Sequence, residues 1–385
     1  MAKADEHNVQ WKTVKLGEVG EINPSNKEPL PNQFIYIDLE SVVAGELLTE
    51  NHINKKEAPS RAQRIVYKDD VLYQTVRPYQ KNNYIHKKEG DYVASTGYAL
   101  IRCYKEYNPD FLYYKLHTYQ VESVVLGLCT GTSYPAIAPN YLKKIEISVP
   151  DLPTQGRIAA ILSAADKVIE QTRQLIGKYK SIKQGMMEDL LKPKEGWKKV
   201  KLGEVAQTFT GLTYSPSNIN NSGTLVLRSS NIKDGRLCFE DNVFVSMDIP
   251  ERAMVHENDI LICVRNGSRN LIGKCALITK DAIGMAFGAF MTVLRSTTIE
   301  PKLLLYIWQS NDVQRQVANN IGATINQITN ADFNRFEISV PDLPEQRRIA
   351  KILSGIDRKI EAEEKVLGKY EKMKKGLMER LLIKE

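Results

Sequence analysis

Residues 145–191 of the chain, opening Ile-Glu-Ile-Ser-Val-Pro-Asp-Leu-Pro, return without a gap as residues 336–382, opening Phe-Glu-Ile-Ser-Val-Pro-Asp-Leu-Pro. A shorter echo stands ahead of each: Trp11-Lys-Thr-Val-Lys-Leu-Gly-Glu-Val19 and Trp197-Lys-Lys-Val-Lys-Leu-Gly-Glu-Val205. The order is lead motif, variable body, tail, and then the same again. A period this long duplicates a whole domain; it is not a solenoid of short repeats. Any fold of this chain must build one framework twice and seat two different inserts in it. That is the layout of a molecule that reads two different things with one geometry.

The tails change period after each Pro-Asp-Leu-Pro. Pro153 and Pro344 end an extended Ile-Ser-Val stretch and suit a first helical turn, where the missing N–H costs nothing. Beyond them Ile158, Leu162, Ile169, Ile176 and Tyr179 fall on one helical stripe, as do Ile349, Leu353, Ile356, Ile360, Leu367 and Tyr370, with Lys and Glu opposite. The pattern predicts two helices of about 35 residues, on the order of 50 Å each, too long to pack along one small domain. Such a helix needs a partner, and its near-twin is the obvious one. Two copies related by a two-fold axis would lie antiparallel with the bodies at opposite ends of a rigid spacer. The alternative is that each stripe docks on a separate protein. Gly177, Gly185, Gly368 and Gly376 suggest close helix–helix approach.

The length of 385 residues fits two to three domains, and 42% hydrophobic with 26% charged residues is ordinary for a globular protein. No apolar run reaches the roughly 18 residues of a membrane span, and the polar N-terminus carries no signal-peptide core. Cys103, Cys129, Cys238, Cys263 and Cys275 are scattered, without a Cys-x-x-Cys pair, which argues against a disulfide framework or zinc site. A cytoplasmic location with no membrane partner is expected. The net charge of +7 favours a polyanionic partner without proving one.

The bodies, residues 20–144 and 206–335, align poorly but share landmarks. Lys68-Asp-Asp-Val-Leu72 matches Glu257-Asn-Asp-Ile-Leu261, a turn before a buried strand. Polar loops come next, Val76-Arg-Pro-Tyr-Gln-Lys-Asn-Asn83 and Val264-Arg-Asn-Gly-Ser-Arg-Asn270. Then come a small-residue strand (Tyr98–Arg102; Ala289–Leu294), a short helix after Pro109 or Pro301, and a turn at Gly131 or Gly322. Period-two strands mixed with short helices indicate an α+β body. Arg pairs bidentately with guanine and Asn or Gln with adenine. On that ground the DNA-contacting candidates in the first body are Arg77, Gln80, Lys81, Asn82, Asn83, Thr132, Ser133 and Tyr134. In the second they are Arg228, Asn231, Arg265, Asn266, Ser268, Arg269, Asn270, Asn326 and Gln327. Each taken singly also fits a solvated polar loop.

Catalytic signatures are missing. Gly273-Lys274 leads into Cys275 and lacks the upstream glycine of a phosphate loop. Asn23-Pro24 is followed by Ser25, so the Asn/Asp-Pro-Pro-aromatic tetrad with which amino-methyltransferases hold a flipped base does not occur. His7, His52, His86, His117 and His256 have no metal-ligand spacing. Asp342 with Glu363 and Lys365 makes a weak nuclease-like string, better read as the polar face of a helix. No catalytic residue and no metal site is assigned; the chain reads as a binding protein.

The motif Trp-x-x-Val-x-Leu-Gly-Glu opening each half, and Ile-Ser-Val-Pro-Asp-Leu-Pro-x-Gln-x-Arg-Ile-Ala before each long helix, resemble the DNA specificity subunit of type I restriction–modification systems over essentially the whole chain. Thr210-Gly211 and Glu21-Ile22-Asn23-Pro24 are similar to common openings of its recognition domains. The resemblance implies an α+β fold of two pseudo-symmetric α/β target-recognition domains separated by two long antiparallel helices. It gives recognition domains at 1–146 and 195–337 and spacer helices at 147–194 and 338–385. It further implies double-stranded DNA as ligand, each domain reading one half of an asymmetric bipartite target, with the helices as the ruler. A 50 Å helix pair spans at most about 15 base pairs at 3.4 Å each. Two methyltransferase subunits using S-adenosylmethionine and two restriction/translocase subunits using ATP and Mg are implied as partners, with no cofactor in this chain. Gly156 stands where the second copy has Arg347, so the two partner contacts need not be equal. The rival readings are a coiled-coil scaffold, the specificity subunit of a methylation-only system, and, less well supported for want of an aromatic-rich strand motif, an RNA-binding module.

Overall fold

The computed structural model describes residues 10–321 and 326–383. They form two compact units, one running to Arg173 and resuming at Lys365, the other Gln174–Glu364. Each unit thus holds one body, the first part of the long helix that follows it, and the last part of the other long helix.

A two-stranded clasp closes each body. Lys12–Lys15 pairs antiparallel with Glu146–Val149, which sets Val14 opposite Ile147. Lys198–Lys201 pairs with Glu337–Val340, setting Val200 opposite Ile338. Cross-strand β-branched pairs favour this register, and a slip of one residue would turn buried Ile147 or Ile338 outward. The repeated lead motif and tail are therefore one structural device, which brings the two ends of each insert together.

Between the clasp strands both bodies fold into two four-stranded sheets; the first has the same strand order in both, and the second differs at its edges, which carry Ala62–Val66 in one body and Ile219–Asn220 in the other. In the first unit the orders are Gly20–Ile22, Tyr98–Cys103, Val71–Gln74, Tyr84–Ile85, and Asn51–Asn54, Gln33–Ile37, Tyr92–Ser95, Ala62–Val66. In the second they are Ala206–Thr210, Met291–Ser296, Ile260–Cys263, Cys275–Leu277, and Ile219–Asn220, Phe244–Val245, Thr224–Leu227, Ala286–Phe287. One pairing per unit is parallel, Gln33–Ile37 with Tyr92–Ser95 and Thr224–Leu227 with Ala286–Phe287. Helices Pro109–Leu116 and Pro301–Gln309 pack against the sheets, so each body is α+β. Strands Val71–Gln74 and Ile260–Cys263 are buried at every residue, and so their sequences show no alternation.

The long helices run Leu152–Leu190 and Leu343–Leu382, 39 and 40 residues. In the first unit Ile158, Ala159 and Leu162 share a core with Leu377, Leu381 and Leu382. Arg173 pairs with Glu371 at 2.8 Å, and Asp166 with Lys374. In the second unit Ile349, Ala350 and Leu353 share a core with Met186, Met187 and Leu190. There Lys183 meets Asp357 at 2.8 Å and Lys180 meets Glu364 at 3.2 Å. Numbers rise on one helix as they fall on the other, so the helix segments pair antiparallel within each unit. Along the stripe Ile158, Leu162, Ile169, Ile176, Ile349, Leu353 and Ile360 are buried; Tyr179, Ile356, Leu367 and Tyr370 are half-buried. The glycines have a different standing from the one expected. No packed atom lies within 4 Å of a Cβ built on Gly177, Gly185, Gly368 or Gly376, so close helix approach does not explain them.

Three polar contacts recur in both units and hold the body to its helix or its own turn. Gln155 donates to the Pro150 carbonyl (2.9 Å) and accepts from Asn108 N (2.9 Å); Gln346 does the same with Pro341 (2.9 Å) and Glu300 N (2.9 Å). Tyr114 donates to Asp166 (2.7 Å) as Tyr306 does to Asp357 (2.6 Å). Arg102 forks onto buried Asp70 (2.8 and 2.6 Å) and Arg295 onto buried Asp259 (2.7 and 2.8 Å). These bonds to the carboxylates hold both guanidinium groups above their ordinary pKa.

Candidate nucleic-acid interface

In each body the buried central strand releases a polar loop at the same point. In the first, Gln74 ends the strand fully buried and shapes the loop beyond it. Its amide donates to the Val76 carbonyl (2.9 Å) and Gln80 Oε1 (2.8 Å), and its oxygen accepts from Asn82 N (3.1 Å). The loop turns through left-handed residues at Arg77 (φ 54°) and Lys81 (φ 58°), a conformation that costs a non-glycine residue about 1 kcal/mol or more. A second segment locks it from the side. Val76 and Thr130 both bridge to Ala136, and Arg77 N donates to the Pro135 carbonyl at 2.7 Å. The Arg77 guanidinium then lies over the Tyr134 ring, 4.3 Å from its centroid.

Two stretches far apart in sequence are thereby joined into one edge. Arg77 is half-buried; Gln80, Lys81, Thr132, Ser133 and Tyr134 are exposed. Lys81 is paired with Glu122 at 2.8 Å. Asn82 is half-buried and accepts from Ala44 N (3.2 Å) at the tip of the Val42–Leu47 hairpin. Asn83 is not part of the edge. It is buried, accepts from Gln74 N at 2.8 Å and meets His117 Nε2 at 3.3 Å, so its amide is spent on holding the loop.

The second body repeats the plan with other side chains. Arg265 bridges to Gln327, Asn266 N donates to the Asn326 carbonyl (3.4 Å), and Asn326 Nδ2 donates to the Gly267 carbonyl (3.1 Å). The Arg265 guanidinium lies 5.1 Å from the centroid of exposed Phe290. Asn266 donates to Ser229 Oγ (3.2 Å), which ties in the neighbouring turn. Arg269 donates to the Ala318 carbonyl (3.0 Å); Ser268, Arg269 and Asn270 are exposed. Arg228 is half-buried and paired with Asp241 at 3.0 Å. Asn231 is also drawn into the fold. It is fully buried, accepts from Arg228 N (2.9 Å) and donates to the carbonyls of Cys238 (3.0 Å) and Asp241 (3.2 Å), a clamp inside the turn. The turn expected at Gly322 and the isolated His7 lie outside the described residues.

Two residues of these edges carry no sequence motif: Gln74, which shapes the first loop, and Phe290, the ring beneath Arg265. Gln74 left one signal, a lone amide closing the run Val-Leu-Tyr-Gln. Phe290 left none, because it joins Arg265 only through the fold. Among the described residues no group of three or more His, Cys, Asp or Glu side chains could hold a metal ion, and no helix is long and apolar enough to cross a membrane.

Residues 8–178 and 194–371 each match the family model described as type I restriction modification DNA specificity domain. The chain is 25% identical over 402 residues to the type I restriction enzyme MjaVIII specificity subunit of Methanocaldococcus jannaschii, covering 97% of this chain and 92% of that protein. Among solved structures it resembles the type I restriction–modification S subunit from M. genitalium (TM-score 0.63, 16% identity, 100% and 99% of the two chains). It also resembles a chain from work on complex assembly and conformational transition of the type I R-M system (TM-score 0.59, 24% identity, 97% of both). At these identities the solved structures speak to the fold alone, while the family match covers both halves of the duplication. The chain belongs to the type I restriction–modification DNA specificity family and is a DNA-specificity subunit.

Proposed function

We propose that each body reads one half of a split, asymmetric DNA target and that the two long helices set the distance between the halves. The observation that carries this reading is the pair of loop edges: the loop that leaves the buried central strand bears Arg77 with Tyr134 in one body and, one register position earlier, Arg265 with Phe290 in the other. A shared mount with different side chains gives one docking geometry and two base preferences. The chain does no chemistry itself. It directs adenine methyltransferase subunits, which bind S-adenosylmethionine, and restriction subunits, which use ATP and Mg.

The test is to express the chain with its methyltransferase partner and map N6-methyladenine across the host genome. The expected result is a split motif with modified adenines in both halves around a fixed gap. No new methylation from an assembled complex, or one contiguous motif, would refute it. Methylation without cleavage of unmodified DNA would mark a methylation-only system. Exchanging residues 206–335 for another body should change one half of the motif; a change in both halves would sink the one-body, one-half assignment.

A further inference from the structure

We propose that Arg77 and Arg265 each read a guanine through the major groove, so that each half of the target contains a G·C pair recognised by one of them. The inference deepens the reading above and rests on it. The fold supplies its own control, because each body carries two arginines stacked on an aromatic ring. Arg102 lies over Tyr67 and Arg295 over Phe209, both at 4.5 Å, and each is neutralised by a buried carboxylate, Asp70 or Asp259. Those two are framework. Arg77 over Tyr134 and Arg265 over Phe290 have the same stacking, but among the described residues no carboxylate stands within ion-pair distance of either, and Arg77 Nε, though buried, has no acceptor.

An arginine in that state is built for an external acceptor. The ring lies against the guanidinium, so less freedom is lost on binding. The left-handed backbone at Arg77, held by Gln74 and Pro135, fixes its origin as well. The fork that remains matches O6 and N7 of guanine. A phosphate also accepts a fork, but a phosphate contact carries no sequence information, and this difference is what the experiment reads.

The experiment uses the assembled complex and its mapped motif. Each guanine of one half is replaced in turn by 7-deazaguanine or adenine, and binding is measured for wild type, Arg77→Lys and Arg265→Lys. Lysine keeps the charge and the stem but lacks the planar fork. Wild type should lose roughly 5- to 150-fold at one guanine per half. Arg77→Lys should lose preference at that single position of its own half and keep the other half intact, with Arg265→Lys the converse. Tyr134→Leu should weaken discrimination at the Arg77 position only. A variant that binds all sequences more weakly with unchanged preference would make the contact a phosphate and overturn the assignment. So would a split motif with no G·C pair in one half. That outcome leaves the split-target reading standing, whereas the absence of any split motif would remove both.

Discussion

Gln155 and Gln346 offer a perturbation that the molecule itself duplicates. Each side chain is buried and bonds two backbone groups at a helix start: a carbonyl just before the helix and an N–H at the mouth of the body's short helix. Gln155→Leu keeps the approximate volume and removes both bonds, leaving the Asn108 N–H and the Pro150 carbonyl without partners. Loss of two such bonds, with part of the desolvation penalty of each orphaned group, costs about 2–3 kcal/mol. Hydrogen exchange read by mass spectrometry reports on both units in one molecule. In Gln155→Leu the amides of Glu146–Val149 should exchange roughly 30- to 150-fold faster, and those of Glu337–Val340 should be unchanged. Gln346→Leu should give the mirror result. A change of less than about threefold in the substituted unit would refute the latch, as would equal losses in both units.

His86 is fully buried between Tyr84 and Tyr92, neither ring nitrogen has an acceptor or donor, and burial lowers its pKa. The unfolded chain therefore binds the proton more tightly, so the first unit should lose stability as pH falls below about 6.5, and His86→Phe should flatten that slope in acid titrations followed by circular dichroism. Burial pulls the Lys115 ammonium down to about 8, although it donates to Ser148 Oγ (2.9 Å) and the Leu382 carbonyl (2.6 Å). Because the unfolded side chain stays charged to about 10.5, stability should rise between those pH values by on the order of 3 kcal/mol relative to Lys115→Met in paired urea melts; parallel curves would contradict it. Asp259→Asn leaves Arg295 without its charge partner in a largely buried site and should cost about 3 kcal/mol, with faster exchange confined to the second unit.

The framework was legible because it is written twice. The clasp follows from the echoed lead motif and tail, and the helices from an unbroken stripe of threes and fours. Asp70 and Asp259 were visible as parts of matching turns, yet their arginines lie one strand away and only the folded register joins them. The loop edges were legible as loops and not as sites. Asn83 and Asn231 look like base readers by residue type and are spent inside the fold, since amides suited to a base edge suit a backbone equally well. Burial separates the two uses, and burial within an irregular loop has no period to read.

The two kinds of stacked arginine show how a duplicated fold divides stability from specificity. Arg102 and Arg295 meet a carboxylate at equivalent positions of the two bodies, and a change at either partner strands a charge in the interior. Chemistry at those positions is therefore pinned in both copies. Arg77 and Arg265 rest on rings drawn from unrelated places, Tyr134 from the segment before the clasp and Phe290 from the strand entry. They leave the same loop one register position apart, Arg265 standing where the first body has Val76, so one edge can change without disturbing the other. Freedom to diverge lies where the frame leaves a donor unspent, which is where the proposed base contacts stand.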